Sequence, residues 1–160
     1  MPETNQNIGL YRQGVGIILL NSKKKVFVAK RIDNAVEAWQ MPQGGIDDGE
    51  NELQAMEREL EEEIGITPAL TKLIYTFPEW LTYDLPQDLQ KKLWQGKYLG
   101  QRQKWFVLEF LGNDSDINIC TTIPEFCEWK WEDAKNLPEL IVDFKKELYQ
   151  TITTTLQKVI

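Results

Sequence analysis

The chain has 160 residues, 42% of them apolar, with six tryptophans, no histidine and a formal net charge of −7. That length suits one domain around a single core, and the apolar content argues against disorder. With no histidine, imidazole acid–base chemistry, the serine–histidine nucleophile and imidazole metal sites are all excluded, so proton transfer falls to carboxylates, lysine, tyrosine or metal-bound water.

Residues 1–10 read as a loose end without the basic and apolar regions of a secretory signal. Tyr11 and Arg12 lead into residues 14–20 (GVGIILL), a β-rich apolar run. Asn21, Ser22 and three lysines make a polar turn, and residues 26–31 (VFVAKR) are expected to be the hairpin partner. Residues 32–38 read as a variable loop, after which Trp39-Gln40-Met41-Pro42-Gln43 delivers the chain into an acidic run.

That run, residues 44–66 (GGIDDGENELQAMERELEEEIGI), holds nine acidic side chains and one base, Arg58. Like charges one turn apart on a helix repel by roughly 0.2–0.5 kcal/mol per pair, so such crowding is expected to serve a cation. Glycines at both ends read as a loop before a helix and a C-terminal cap after it. Leu53, Met56, Leu60 and Ile64 recur at helical spacing and predict a flank packed on a core. Glu59, Glu62 and Glu63 are related by i, i+3 and i+4, which puts three carboxylates on an adjoining flank. Hard divalent cations take several oxygen ligands and leave positions for water and phosphate. The run carries a charge of −8, and the remaining 16 acids and 17 bases nearly cancel. The acidic total therefore does not forbid a polyanionic partner.

Downstream, residues 73–83 supply strand material interrupted by Pro78, and residues 85–100 read as a polar excursion or short helix. Residues 104–111 (KWFVLEF and Leu111) predict a strand, 113–116 a turn, 117–121 a short strand, and 126–131 a half-buried strand of alternating character. Residues 141–160 predict a second long helix, with Phe144, Leu148, Ile152, Leu156 and Ile160 on one stripe. Strands with long helices placed mid-chain and at the end suggest a mixed sheet between helices, an α/β class. Only Cys120 and Cys127 are present, too few for a disulfide scaffold or a four-thiolate zinc site. No apolar run reaches the roughly 18–20 residues that span a bilayer. A cytoplasmic address is expected, with neither membrane nor DNA as partner.

The order Gly44, five residues, Glu50, seven residues, Arg58-Glu59-Leu60, one residue, Glu62-Glu63, one residue, Gly65-Ile66 resembles the Nudix box without departure. The resemblance implies an α/β/α sandwich over the single domain 1–160. It also implies Mg²⁺ as cofactor, with Mn²⁺ as a substitute. Carried over by position, the metal ligands are Glu59, Glu62 and Glu63 with the carbonyl of Gly44, while Arg58 orients a neighbouring glutamate and Glu50 supports the loop. Further stretches resemble the branch of that family acting on RNA 5′ ends and dinucleoside polyphosphates. They are Tyr11-Arg12, Trp39 to Gly45, Gly100 to Phe106, Pro124-Glu125-Phe126 with Trp129 and Trp131, and Val142 to Lys145. That branch implies a metal- or base-type catalytic role for Glu125, and RNA contacts for Arg12, Arg31, Val142, Phe144 and Lys145. Phe144 also lies on the helix stripe, so it reads equally as core packing or as a stacking platform. Departures from the branch fall at Gln13-Gly14 and in the longer loop 32–38.

Three readings follow. One is removal of pyrophosphate from triphosphorylated RNA, leaving a 5′-monophosphate and promoting RNA decay. Another is hydrolysis of diadenosine tetra- to hexaphosphates. The last is a catalytically silent Nudix domain that binds nucleotides as a regulator, although such domains usually lose box glutamates and none is missing here. A monomer is expected.

Overall fold

The computed structural model describes residues 9–33 and 36–160. Most of the expected loose N-terminus, and two residues of the loop 32–38, lie outside the described residues. Strand β1 (Tyr11–Leu20) runs antiparallel to β2 (Val26–Arg31) as the sequence predicts. Asn21 builds the turn between them: its side-chain oxygen accepts from the amides of Lys23 and Lys25, both at 3.0 Å.

A seven-stranded mixed sheet forms around this hairpin in the order β4-β6-β1-β2-β7. Its further strands are β3 (Gln43–Gly45), β4 (Thr71–Thr76), β5 (Leu81–Asp84), β6 (Gly100–Phe110) and β7 (Phe126–Glu132). β1 and β6 are parallel in register from Tyr11↔Gly100 to Leu20↔Glu109, while β3 and β5 pair antiparallel with β1 and β6 respectively. Successive side chains of the central strands enter opposite cores. Val15, Ile17, Leu19, Phe27, Phe106 and Leu108 pack under helix α1 (Glu52–Ile64). Ile18, Leu20, Val28, Trp105 and Val107 pack under the C-terminal helix α4 (Lys146–Val159). Both faces are covered, which is why these strands read as continuous apolar runs rather than alternating ones. The α/β/α sandwich is therefore the observed fold. Among the described residues no helix is long and apolar enough to cross a membrane.

Four local expectations are corrected. Leu53, in the first turn of α1, is 43% exposed; Ala55, Met56, Leu60 and Ile64 form the buried flank. Residues 117–121 form no strand, although Ile117 and Ile119 do pack on the α1-side core. Alternation in β7 fails at its start, where a register shift opposite Lys30 and Arg31 brings Phe126 to the same core as Trp129 and Trp131. The C-terminal helix is broken: α3 (Leu137–Leu140) ends at an extended Ile141, a short 3₁₀ turn spans Asp143–Lys145, and α4 follows. That break turns Val142, Phe144 and Lys145 towards a groove. The excursion 85–100 contains α2 (Gln87–Lys92) and a second 3₁₀ turn, Trp94–Gly96.

Candidate active site

The acidic helix is set by its own ends. The Asn51 side chain accepts from the Gln54 amide at 2.8 Å, and the Gln54 side chain accepts from the Asn51 amide at 3.0 Å. This reciprocal cap satisfies two donors that a helix start leaves orphaned. Gly65 closes the other end at φ 72°, a left-handed conformation that glycine adopts without strain.

Between these caps Arg58 ties loop and helix together. Its Nε donates to Glu50 at 2.7 Å, and its Nη2 donates to Glu50 at 3.0 Å and to the Gly45 carbonyl at 2.8 Å. Its Nη1 reaches Glu59 at 2.8 Å and Glu62 at 3.1 Å. Glu50 consequently sits below its ordinary pKa, held first by Arg58 and then by the Asp47 amide. Glu50 and Arg58 thus bridge the loop before α1 to the carboxylates of the helix.

Glu59 and Glu63 stand one turn apart against β3. Burial raises the pKa of Glu59, with Arg58 opposing the shift. Burial raises Glu63 well above the usual carboxyl range, and the charges of Glu125 and Glu59 push it further in the same direction. One oxygen of Glu63 is buried without a hydrogen-bond partner, an expensive condition for a carboxylate unless a cation or proton meets it. Gly44 lies directly against Glu59, where a Cβ would overlap the carboxyl group. These features fit a hard divalent cation: carboxylate and carbonyl oxygens, no sulfur, no imidazole. Among the described residues the carboxylates do not converge as a closed ligand set, since Glu59 and Glu62 are drawn to Arg58 and Glu62 is largely exposed.

A groove of about 930 Å³ opens beside this cluster. It is lined by Gly44, Glu59, Glu125, Arg12, Arg31, Val142, Phe144 and Lys145. Glu63 lies buried behind that wall, whereas Arg58 and Glu62 stand outside it. Glu125 is anchored by its own carbonyl, which accepts from the Ile32 amide at 2.9 Å. Arg31 makes a two-pronged pair with Asp33 at 2.8 and 2.9 Å, which raises its already high pKa. Lys145 is buried with its Nζ 5.1 Å from the Tyr83 ring centre. Burial brings its pKa down to about 8, aided by the charge of Arg31 and opposed by that of Glu63. Phe144 is half-buried, packing against the α4-side core and against Tyr83 at 6.0 Å while also facing the groove. Core packing is therefore observed, and the same ring also lines the groove.

Sequence reasoning assigned no role to Tyr83, Gln43 or Trp94. Tyr83 supports Phe144 and Lys145, and its hydroxyl accepts from Gln101 at 2.7 Å; Gln103 donates to Gln43 at 2.6 Å. The glutamine-rich run Gly100 to Phe106 was the available signal, because alternate glutamines on β6 point at the groove-side elements.

Two results are expected from this geometry. Gly44→Ala should fold, since the obstructed atoms end a flexible side chain, yet the added methyl must displace Glu59; turnover should fall by roughly 100-fold, about 3 kcal/mol. Activity within a few-fold of wild type would show that Glu59 need not lie against residue 44. The second concerns pH. Unfolded, Glu59 and Glu63 ionise near 4.5; folded, burial keeps them protonated to higher pH. The folded state then binds more protons across that interval, so stability falls as pH rises through it. In EDTA the melting temperature should decline as pH rises above about 4.5, and saturating divalent cation should reverse most of that decline. Equal pH profiles with and without the ion would remove these carboxyls from a cation site.

The α/β/α sandwich sets a carboxylate helix beside a groove lined by both acidic and basic side chains, an arrangement that fits a metal-assisted hydrolase. A NUDIX domain model matches residues 10–152, and the chain belongs to the Nudix family. It is 53% identical over 146 residues to an RNA pyrophosphohydrolase of Rhodospirillum rubrum, covering 91% of this chain and 87% of that one. It is 48% identical over 160 residues to one of Pelagibacter ubique, covering 100% and 99%. Among solved structures, the E. coli dihydroneopterin triphosphate pyrophosphohydrolase superposes with a TM-score of 0.69 at 19% identity, covering 91% of this chain and 99% of that one. A C. elegans Ap4A hydrolase superposes with a TM-score of 0.64 at 21% identity, covering 92% and 98%. These two share the fold. Nudix hydrolases generally require a divalent metal.

Proposed function

We propose that this chain is a single-domain, monomeric enzyme of the cytoplasm that removes pyrophosphate from the 5′-triphosphate end of RNA, leaving a 5′-monophosphate. The observation carrying this reading is the groove itself, whose wall brings the carboxylates Glu59 and Glu125 together with three cations, Arg12, Arg31 and Lys145, among the further acids Asp33, Glu37, Glu139 and Asp143. Relatives about half identical over nearly the whole chain bear the name RNA pyrophosphohydrolase.

Glu59, Glu62 and Glu63, with the Gly44 carbonyl and Glu125, are the groups that hold divalent Mg²⁺, or Mn²⁺ in its place. Glu62 must first leave Arg58 to join them. When bound, the ion supplies charge neutralisation at phosphate oxygens and acidifies a coordinated water. Water adds at the phosphorus next to the 5′ oxygen, the bridging bond to the second phosphorus breaks, and pyrophosphate departs. Glu125, in the groove wall, accepts the proton of the attacking water. Arg12, Arg31 and Lys145 neutralise phosphates, and Phe144, backed by Tyr83, offers a ring face to an unpaired base beside Val142.

Hydrolysis of diadenosine polyphosphates is the second reading. It is favoured by a second apolar wall, Leu85, Leu89 and Leu93, that can receive another nucleoside across the groove. Purified protein should be compared on triphosphorylated RNA, diadenosine tetraphosphate and nucleoside triphosphate, each with Mg²⁺, with Mn²⁺ and with EDTA. Pyrophosphate release from RNA that EDTA abolishes is the expected result. Fast dinucleotide cleavage with inert RNA would replace the first reading by the second, and no turnover of any substrate would overturn both.

A further inference from the structure

In the groove wall, the Arg12 side chain makes no hydrogen bond and no ion pair among the described residues. Its guanidinium is nonetheless closely held. One face lies 4.9 Å from the centre of the Trp94 ring, and its edge lies so close to Gly45 that any Cβ there would overlap it. Five N–H donors in a fixed plane without a protein acceptor are matched to a two-pronged oxyanion such as a phosphate.

The partner of Arg12 is delivered by unusual backbone. Trp94 at φ 48° and Gln95 at φ 61° are both left-handed, and Gly96 follows at φ 71°. Left-handed residues other than glycine persist only where their surroundings over-determine them, and such strain concentrates at ligand clamps. The surroundings here do so. Gln90 donates to the Leu85 carbonyl at 2.8 Å, and the Gly96 amide donates to Leu93 at 2.9 Å. The Leu99 amide donates to the Leu10 carbonyl at 2.8 Å, which binds the excursion to the chain two residues before Arg12. The Trp94 ring also meets Tyr98 edge-on at 6.1 Å.

We propose that Trp94 is a positioning residue that holds the Arg12 guanidinium as a pre-set clamp for a phosphate of the substrate chain. This rests on reading the groove as a polyphosphate site. Trp94 does not touch the reacting atoms; it decides where the donors of Arg12 point before substrate arrives, and so acts on binding rather than on the chemical step.

The test is a double-mutant cycle in the full chain, with Arg12→Ala, Trp94→Ala and both together. It is read as Kd for a 5′-triphosphorylated oligoribonucleotide, as kcat and KM, and as melting temperature. Trp94→Ala is expected to raise Kd and KM by roughly 2- to 30-fold with kcat within about twofold, and to add almost nothing once Arg12 is alanine. Because alanine at 94 risks disturbing the turn, Trp94→Phe and Trp94→Leu are compared as well: phenylalanine keeps a π face and should retain most of the affinity, leucine should not. Factors that multiply fully in the double variant, leucine binding as well as phenylalanine, or a fall in kcat at constant KM would overturn the role of Trp94. Wild type that cleaves neither RNA nor diadenosine tetraphosphate would instead overturn the proposed function, which the cycle does not decide.

Discussion

Glu63→Gln is expected to lower metal-dependent turnover by roughly 1,000-fold or more, about 4 kcal/mol of lost transition-state stabilisation. The same change should leave the metal-free protein as stable as wild type or more so. Glutamine matches glutamate in shape but carries no charge, and the Glu63 carboxyl is buried, faces Glu125 and Glu59, and has one oxygen without a partner. Ionising it inside the fold works against stability, and the amide ends that cost. A further consequence separates a cation site from a simple structural defect. Divalent ion should raise the melting temperature of wild type at about pH 8, and raise that of the variant much less, since binding to the folded state alone is what stabilises it. Near-normal turnover in Glu63→Gln, measured with saturating Mg²⁺, would remove Glu63 from the site.

Arg58→Ala is expected to have the next largest effect, a loss of about 10- to 100-fold in metal affinity or turnover. Arg58 holds both oxygens of Glu50, one each of Glu59 and Glu62, and the Gly45 carbonyl. Removing it frees the loop next to Gly44 and leaves three carboxylates to repel one another. The effect on stability should be smaller, a few degrees in melting temperature, because these ion pairs are partly open to solvent and pairs of that kind are worth about 1 kcal/mol or less. Arg58→Lys should not restore activity, since a single ammonium cannot serve three carboxylates and a carbonyl at once. A fully active lysine variant would mean that charge at 58 suffices and geometry does not matter.

Legibility in the sequence varied by element, for physical reasons. The central strands were readable because both their faces are buried, so residues 14–20 and 26–31 show unbroken apolar runs. Helix α1 was readable because its asparagine–glutamine cap, apolar flank and terminal glycine are all local features. The C-terminal helix is not legible in the sequence at its start. Its stripe does run through Leu148, Ile152 and Leu156, but Ile141 shares the apolar spacing while adopting an extended backbone, with the Leu140 carbonyl accepting from the Trp39 amide at 2.8 Å. A contact spanning a hundred positions leaves no periodic trace. Trp94 was invisible for a similar reason: its importance lies in a left-handed turn and in the approach of Arg12 from the far end of the chain.

By itself the sequence determined the family pattern. The spacing of Glu59, Glu62 and Glu63 after Gly44, the single arginine among nine acids and the absence of histidine are what the proposed hard-metal oxygen ligation rests on, because helical spacing puts those carboxylates on neighbouring positions of one helix. Only the tertiary structure decided how each group is used. Burial distinguishes Glu63 from Glu62, which are identical in type and adjacent in sequence, because dielectric environment depends on what packs above a residue. The break before α4 likewise brings Phe144 and Lys145 to the groove wall, and the excursion between β5 and β6 sets the Trp94 ring against Arg12, since charge, ring face and cavity wall meet only when distant segments are packed together.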